Sequence, residues 1–422
     1  SLQLQIKIST LRDRQMGNIL NIINSDKDFY DTHNGHYMRC AKGSFYSSEL
    51  KENFKINEVN IDNIDDKTNY IYLVECVTQD AIYSGFFKIP QKVINLINQD
   101  RCKVVFSYEA EGDLDIEFFN EWYSFTCKPR EDEIKFSNFY ILHCELNCEK
   151  HNRTPVNFFV STHHFDSLSF ELNQIIKGNN HRELPKFDYD FYRKEIQDID
   201  VKNKSKHFLC YLRNCGRPHR NAIASYFQHD DLWSKNNLSF LKNSFNGEVP
   251  KDILPKQYWS SSVELNNLPK IEIDTQSLQD LQGFDTSFSS NWKHYQETFL
   301  SIVSETIYGG RLNFFSEKIC KPLINLHPFI LMSTPYSLKY LKKFGFQTFH
   351  PFINEEYDKQ ENDLQRMQMI FDELDKFKNK SDKELKDWWK QILPILEHNQ
   401  KTLINMGNKK TKKMKLLEKL ND

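Results

Sequence analysis

Short apolar runs bounded by polar turns recur through the first half of the chain, and each reads as a strand. Residues 3–9 alternate apolar and polar, while 70–76, 103–107, 138–143 and 156–160 are rich in β-branched and aromatic residues. Residues 90–98 between them fit a short helix. Strands that alternate with helical segments predict βα units and a mainly parallel sheet. Residues 186–206 are polar and charged without an apolar period, which marks a boundary and predicts a first domain over 1–200.

A second domain over 201–378 opens with a buried-strand pattern at 207–212, a turn at 213–220 and a helix at 221–229. Pro250, Pro255 and Pro269 break the stretch 238–271 into loops and short strands. Residues 295–300 read as helix, 301–304 as a short strand, and 328–332 as a buried strand followed by a helix. Leu364, Met367, Ile370, Phe371, Leu374 and Phe377 recur at helical spacing and predict an amphipathic helix over 361–378. Ser381 followed by Glu384 has capping-box spacing for a further helix running toward Glu397, in which Trp388 and Trp389 read as packing residues. The last segment, 379–422, is read as helices that pack back on the first domain and a Lys-rich tail over 409–419. That tail carries Met414, Leu416, Leu417 and Leu420 and reads as a frayed, solvated helix, with a membrane-surface or partner-binding helix as the alternative.

At 422 residues the chain is long enough for two cores, since single cores stop growing at roughly 250–300 residues. Hydrophobic content is a modest 39%, but 33 Phe, 19 Tyr and 6 Trp supply large apolar areas, so the chain folds. A net charge of −2 gives no global field toward nucleic acid or an anionic membrane. Nine cysteines, an odd number at irregular spacing, argue against a secreted disulfide framework and suit a reducing compartment. Cys144 with Cys148 and Cys210 with Cys215 look like zinc half-sites, yet no matching pair completes either, and no metal is expected. No window approaches 18 consecutive apolar residues, and no basic-then-apolar leader opens the chain, so a cytoplasmic location is expected.

Three clusters could carry chemistry. Arg213, Arg217 and Arg220, with His219, lie just past a predicted strand, where open α/β sheets bind ligands. Gly216 permits a tight turn there, Pro218 stiffens the helix start, and guanidinium groups fork onto phosphate oxygens. Glu305, Arg311, Glu317 and Lys318 form the second cluster, in which a lysine beside a diphosphate offsets its charge and a neighbouring glutamate takes two ribose hydroxyls. The same Glu317 is also ordinary first-turn helix chemistry. Glu109 and Glu111, with Asp113, follow the strand at 103–107 and are base candidates for deprotonating an acceptor hydroxyl, with His163, His164 and Asp166 in reserve. Nucleotide-binding glycine loops and metalloprotease or serine-hydrolase motifs are absent.

Residues 301–358 resemble a group of viral and bacterial glycosyltransferase-like proteins related to the inverting α-1,3-fucosyltransferases. The matching pieces are Val303, Ser304, Glu305 and Thr306; the run from Phe315 to Pro322; His327 to Ile330; Leu338 and Leu341 with 345–349; and 354–358. The turn at 207–220 resembles the start of that group's nucleotide-binding domain. The resemblance implies an α/β fold of GT-B type, two Rossmann-like domains facing each other across a cleft, with the donor on the second domain and the acceptor on the first. By this resemblance Glu317 would hold the ribose, Lys318 the diphosphate, and Arg220 or else Arg213 the donor phosphates. It further implies inverting transfer of a sugar, fucose from GDP-fucose among the options, from a GDP- or UDP-linked donor to a glycan hydroxyl, with no tightly bound cofactor or metal. The chain lacks the His-Arg-Glu signature around the family's base, so Glu109 and Glu111 are named by location alone. A non-catalytic glycan- or nucleotide-binding module on the same scaffold is the alternative.

Overall fold

The structure, a computed structural model, describes residues 19–24, 47–75, 86, 89–109, 116–148, 154–176, 201–273 and 292–421. The chain divides into two compact units, one of residues 1–170 with 408–422, the other of 171–407.

The first unit is built on a six-stranded sheet of β1 (Ile19–Asn24), β2 (Lys55–Glu58), β3 (Tyr70–Glu75), β4 (Cys102–Tyr108), β5 (Phe139–His143) and β6 (Asn157–Val160). All neighbours pair in parallel, in the order β2-β1-β3-β4-β5-β6. The runs at β3 and β4 are legible as strands because both their faces are buried, which is how central strands of parallel sheets read. Helix α1 (Ser48–Asn53) is capped by Ser47, and α2 (Gln91–Asn98), entered at Pro90, buries Val93, Ile94, Leu96 and Ile97. Helix α3 (Ile116–Trp122) delivers Trp122 into an aromatic cluster with Phe86 and Phe106, and α4 (His163–Ile176) follows β6. Residues 3–9, expected as the first strand, lie outside the described residues.

The C-terminal helix, here α12 (Lys412–Asn421), corrects the expectation of a frayed, solvated tail. Met414, Leu416, Leu417 and Leu420 are buried in one core cluster with Leu20, Ile22, Leu50, Leu73 and Val105. Burying such side chains stabilises by about 1.5–3 kcal/mol each. The face that a membrane surface would need is thereby occupied by protein.

The second unit carries a four-stranded parallel sheet of β7 (Lys206–Cys210), β8 (Asn237–Leu238), β9 (Thr298–Ser304) and β10 (Phe329–Met332), in the order β10-β9-β7-β8. Helix α5 (Pro218–His229) leaves β7, and α6 (Trp259–Glu264) packs in the same unit. Residues 298–300, expected as helix, are strand: α7 (Trp292–Glu297) ends first and β9 runs seven residues, every one buried. Its pairing with β7 and β10 on both sides overrides the local helical pattern. Helices α8 (Glu317–Ile324), α9 (Ser337–Lys343), α10 (Asp363–Lys378) and α11 (Asp382–Met406) complete the described unit. The capping box forms at Ser381 and Glu384, and α11 continues past 397 because Asn399 and Leu403 extend its buried face. Trp388 and Trp389 are buried packing residues.

The molecule is thus a mixed α/β protein with two parallel sheets flanked by helices, a two-domain Rossmann-like architecture. In each sheet the chain order reverses once, between β1 and β3 and between β7 and β9. Such reversals open a crevice at the carboxyl ends of the strands, where α/β proteins hold ligands.

Candidate functional site

The turn leaving β7 is built for close approach. A Cβ on Gly216 would lie 3.1 Å from Ser244 Cβ and 3.2 Å from Asn214 Oδ1, so glycine lets the chain pass there. Pro218 opens α5 at a position where its missing N–H costs nothing. Arg220, 5% exposed, reaches back from α5 and donates from Nη1 to the Asn214 carbonyl (3.0 Å) and from Nη2 to those of Ser304 and Glu305 (3.4 and 3.3 Å). It clamps the turn after β7 to the end of β9. Its Nε and the Ser304 hydroxyl are buried without a hydrogen-bond partner among the described residues. His219 donates from Nε2 to the Glu305 carbonyl (2.9 Å) and stacks on Tyr308 at 5.3 Å. Burial, helped by the Arg220 charge, pushes its pKa down to about 3, so the ring is neutral at physiological pH.

At the end of β9, Glu305 is fully buried and accepts from Ser316 Oγ (2.6 Å), Ser316 N (3.3 Å) and Thr306 N (3.2 Å). Burial raises its pKa, against the opposing charge of Lys318. Ser316 also caps α8 by accepting from Lys318 N at 3.2 Å. Lys318 Nζ then donates to Glu317 Oε1 (2.9 Å), Ser316 Oγ (3.1 Å) and Thr306 Oγ1 (3.4 Å). Two cationic side chains from different elements therefore meet at one dipeptide: Arg220 at the Glu305 carbonyl and Lys318 at the Thr306 hydroxyl. The helix N-terminus of α8 adds a partial positive charge at the same place.

Of the other expected residues, Arg213 and Arg217 are partly buried in the turn, Glu317 is partly buried and paired with Lys318, and Arg311 is exposed in the loop after β9. Arg213 and Arg311 make no side-chain hydrogen bond or ion pair among the described residues, whereas Arg220 donates to carbonyls from both Nη atoms. Arg220 thus braces the turn after β7 against the end of β9. Sequence reading missed Ser316, the hinge of this network, and Arg366, which sits over Tyr308 at 4.2 Å and donates to its carbonyl. A serine before Glu-Lys at a helix start is a cap signal that could have found Ser316.

The first unit gathers a second polar cluster at the carboxyl edge of its sheet. Glu109, directly after β4, is 1% exposed and accepts from Lys413 Nζ at 2.9 and 3.1 Å, from Ser107 Oγ at 2.7 Å and from Ser161 Oγ. A small depression beside it is also lined by Glu49, Asp166 and Thr411. Glu111 and Asp113 lie outside the described residues, and His163 and His164 open α4. Asp166 is partly buried and accepts from the Thr162 hydroxyl at 2.9 Å, and burial together with Glu49 and Glu109 pushes its pKa up to about 7. The folded form holds this proton up to about pH 7, whereas the unfolded chain releases it near the ordinary aspartate value of 3.8. The folded state binds more protons between those values and loses stability as pH rises through that window. Asp166→Asn should therefore gain stability relative to the parent by on the order of 1–3 kcal/mol between pH 4 and pH 8. Urea unfolding at both pH values checks this; a difference independent of pH would refute it.

Among the described residues no group of three His, Cys, Asp or Glu is placed to hold a metal ion, and the seven described cysteines are all buried. No helix of the described residues is long and apolar enough to cross a membrane. No family model, curated protein or solved structure matches this chain.

Proposed function

We propose that this protein is an inverting glycosyltransferase of GT-B type whose second unit binds a nucleoside-diphosphate sugar at the carboxyl edge of β7 and β9. The observation that carries this reading is the meeting of Arg220 and Lys318 at Glu305 and Thr306, at the point where the strand order reverses. An acceptor hydroxyl would attack the anomeric carbon as the bond to the diphosphate breaks and its electron pair leaves with the phosphate oxygen. Lys318, Arg213 and the α8 N-terminus would offset the charge that develops there. Glu317 would turn from Lys318 to the ribose hydroxyls. The hydroxyl proton would pass to a carboxylate of the first unit, with Glu111 and Asp166 the assignments to test, because Glu109 already has its oxygens engaged by Lys413, Ser107 and Ser161. The acceptor would be a glycan, the donor GDP- or UDP-linked, and GDP-fucose one of the sugars to try. The buried thiols among the described cysteines support a reducing, cytoplasmic setting.

The ion-paired state of Glu109 favours one other reading, a nucleotide- or glycan-binding module without turnover. Incubation with a panel of nucleotide sugars and glycan acceptors, followed by detection of released GDP or UDP, separates the two. Release that depends on acceptor supports the transferase; nucleotide binding without release supports the module, and absence of both rejects each.

A further inference from the structure

The strand order lays three loops side by side along the carboxyl edge of the second sheet: 211–217 after β7, 305–316 after β9 and 333–336 after β10. The loops after β9 and β10 are tied together, since Asn313 Nδ2 donates to Thr334 Oγ1 (3.0 Å) and the Pro335 carbonyl (2.8 Å), and Thr334 Oγ1 donates to the Leu312 carbonyl (3.0 Å). At the end of this edge stands Tyr336, the residue before α9. Its φ of 66° is left-handed, a conformation that a bulky side chain adopts only when its surroundings impose it. Here they do: Tyr336 N donates to the Asp358 carbonyl (2.6 Å), and the Asp358 carboxylate accepts from Leu338 N (3.0 Å). The strained backbone holds an aromatic side chain out of the core, at 39% exposure, with its hydroxyl donating to Glu361 (3.3 Å). Among the described residues the other exposed large apolar side chains are Ile19, Phe125 and Val263.

We infer that Tyr336 is the platform on which the base of the bound nucleoside diphosphate stacks. The inference rests on the donor reading above and deepens it. The cationic residues collect at β7 and β9, whereas Tyr336 follows β10, the next strand outward. Neighbouring strands lie about 4.8 Å apart, so the distance from the β7 turn to the β10 turn is roughly 10 Å, a span that a ribosyl linker covers. Aromatic stacking accepts any base and adds affinity without reading it. Tyr336 therefore contributes binding that is common to GDP and UDP, and selection between them falls to other groups.

The test is isothermal titration of the full chain with GDP, UDP and inorganic pyrophosphate. The parent should bind a nucleoside diphosphate more tightly than pyrophosphate. Tyr336→Ala should lose about tenfold for the nucleoside diphosphates, while pyrophosphate affinity stays unchanged and Tyr336→Phe stays within twofold of the parent. Tyr336→Gly, which accepts the left-handed backbone, should be more thermostable than Tyr336→Ala and yet lose the same affinity. Affinity that recovers with the stability of the glycine variant, or an equal loss for pyrophosphate, overturns the inference. Parent binding of GDP or UDP that Tyr336→Ala leaves intact overturns the inference and spares the donor site. A parent that binds no nucleoside diphosphate overturns both.

Discussion

Replacing Lys413 by methionine should destabilise the first unit by about 3–5 kcal/mol, the usual cost of stripping one partner from a buried ion pair. Lys413 and Glu109 are 5% and 1% exposed, and the lysine donates to both carboxylate oxygens. Without it Glu109 retains, among the described residues, the Ser107 and Ser161 hydroxyls in a site shared with Glu49 and Asp166. Methionine keeps the length and apolar stem of lysine, so the packing of Met414 and Leu417 beside it is preserved and the loss reports the charge. The double variant Glu109→Gln with Lys413→Met should recover most of that cost, because neutral groups need no counter-charge. Hydrogen exchange over β4 and α12 reads the effect within this unit, which matters because a chain of two units need not unfold in one step. A single variant that exchanges like the parent would show that the pair carries no such burden.

The second large effect belongs to Lys318. A charge-assisted hydrogen bond to a phosphate is worth about 1.5–3 kcal/mol, so Lys318→Ala should weaken nucleoside-diphosphate binding by roughly tenfold or more. Its Nζ is 2.9 Å from Glu317 and 3.4 Å from the Thr306 hydroxyl, and the side chain is 29% exposed, so it can exchange partners without leaving its place. Because Lys318 contributes to the fold only partly buried contacts, the variant should stay folded, and circular dichroism with titration of GDP and UDP separates binding from stability. A folded variant with the parent's dissociation constant would remove Lys318 from the donor site.

How much of this was legible in the sequence depends on the range of each interaction. The strands β3, β4, β5, β6, β7 and β10 and the capping box at Ser381 and Glu384 are local patterns, and each formed within a residue or two of its expected bounds. Strand β9 was misjudged at its start because Thr298, Phe299 and Leu300 join a sheet whose neighbours come from distant sequence. The tail was misread for the same reason, since a Lys-rich helix shows what it presents to water and not what its apolar side chains meet. Glu109 was picked out by its place after a strand, but its partner Lys413 lies 304 positions away and no spacing rule connects them. Glu317 and Lys318 were visible as a pair beside each other. Their link through Ser316 to the buried Glu305 carboxylate needed the fold, because it joins the end of β9 to the start of α8.

The donor site at β7 and β9 is the claim on which the functional account stands, and a crystal soaked in turn with GDP and with UDP tests it most directly. The account predicts density for one of these diphosphates within hydrogen-bonding distance of Lys318 Nζ and of the turn at 213–217. A well-ordered nucleotide elsewhere on the molecule, or an empty edge at millimolar ligand, would contradict it.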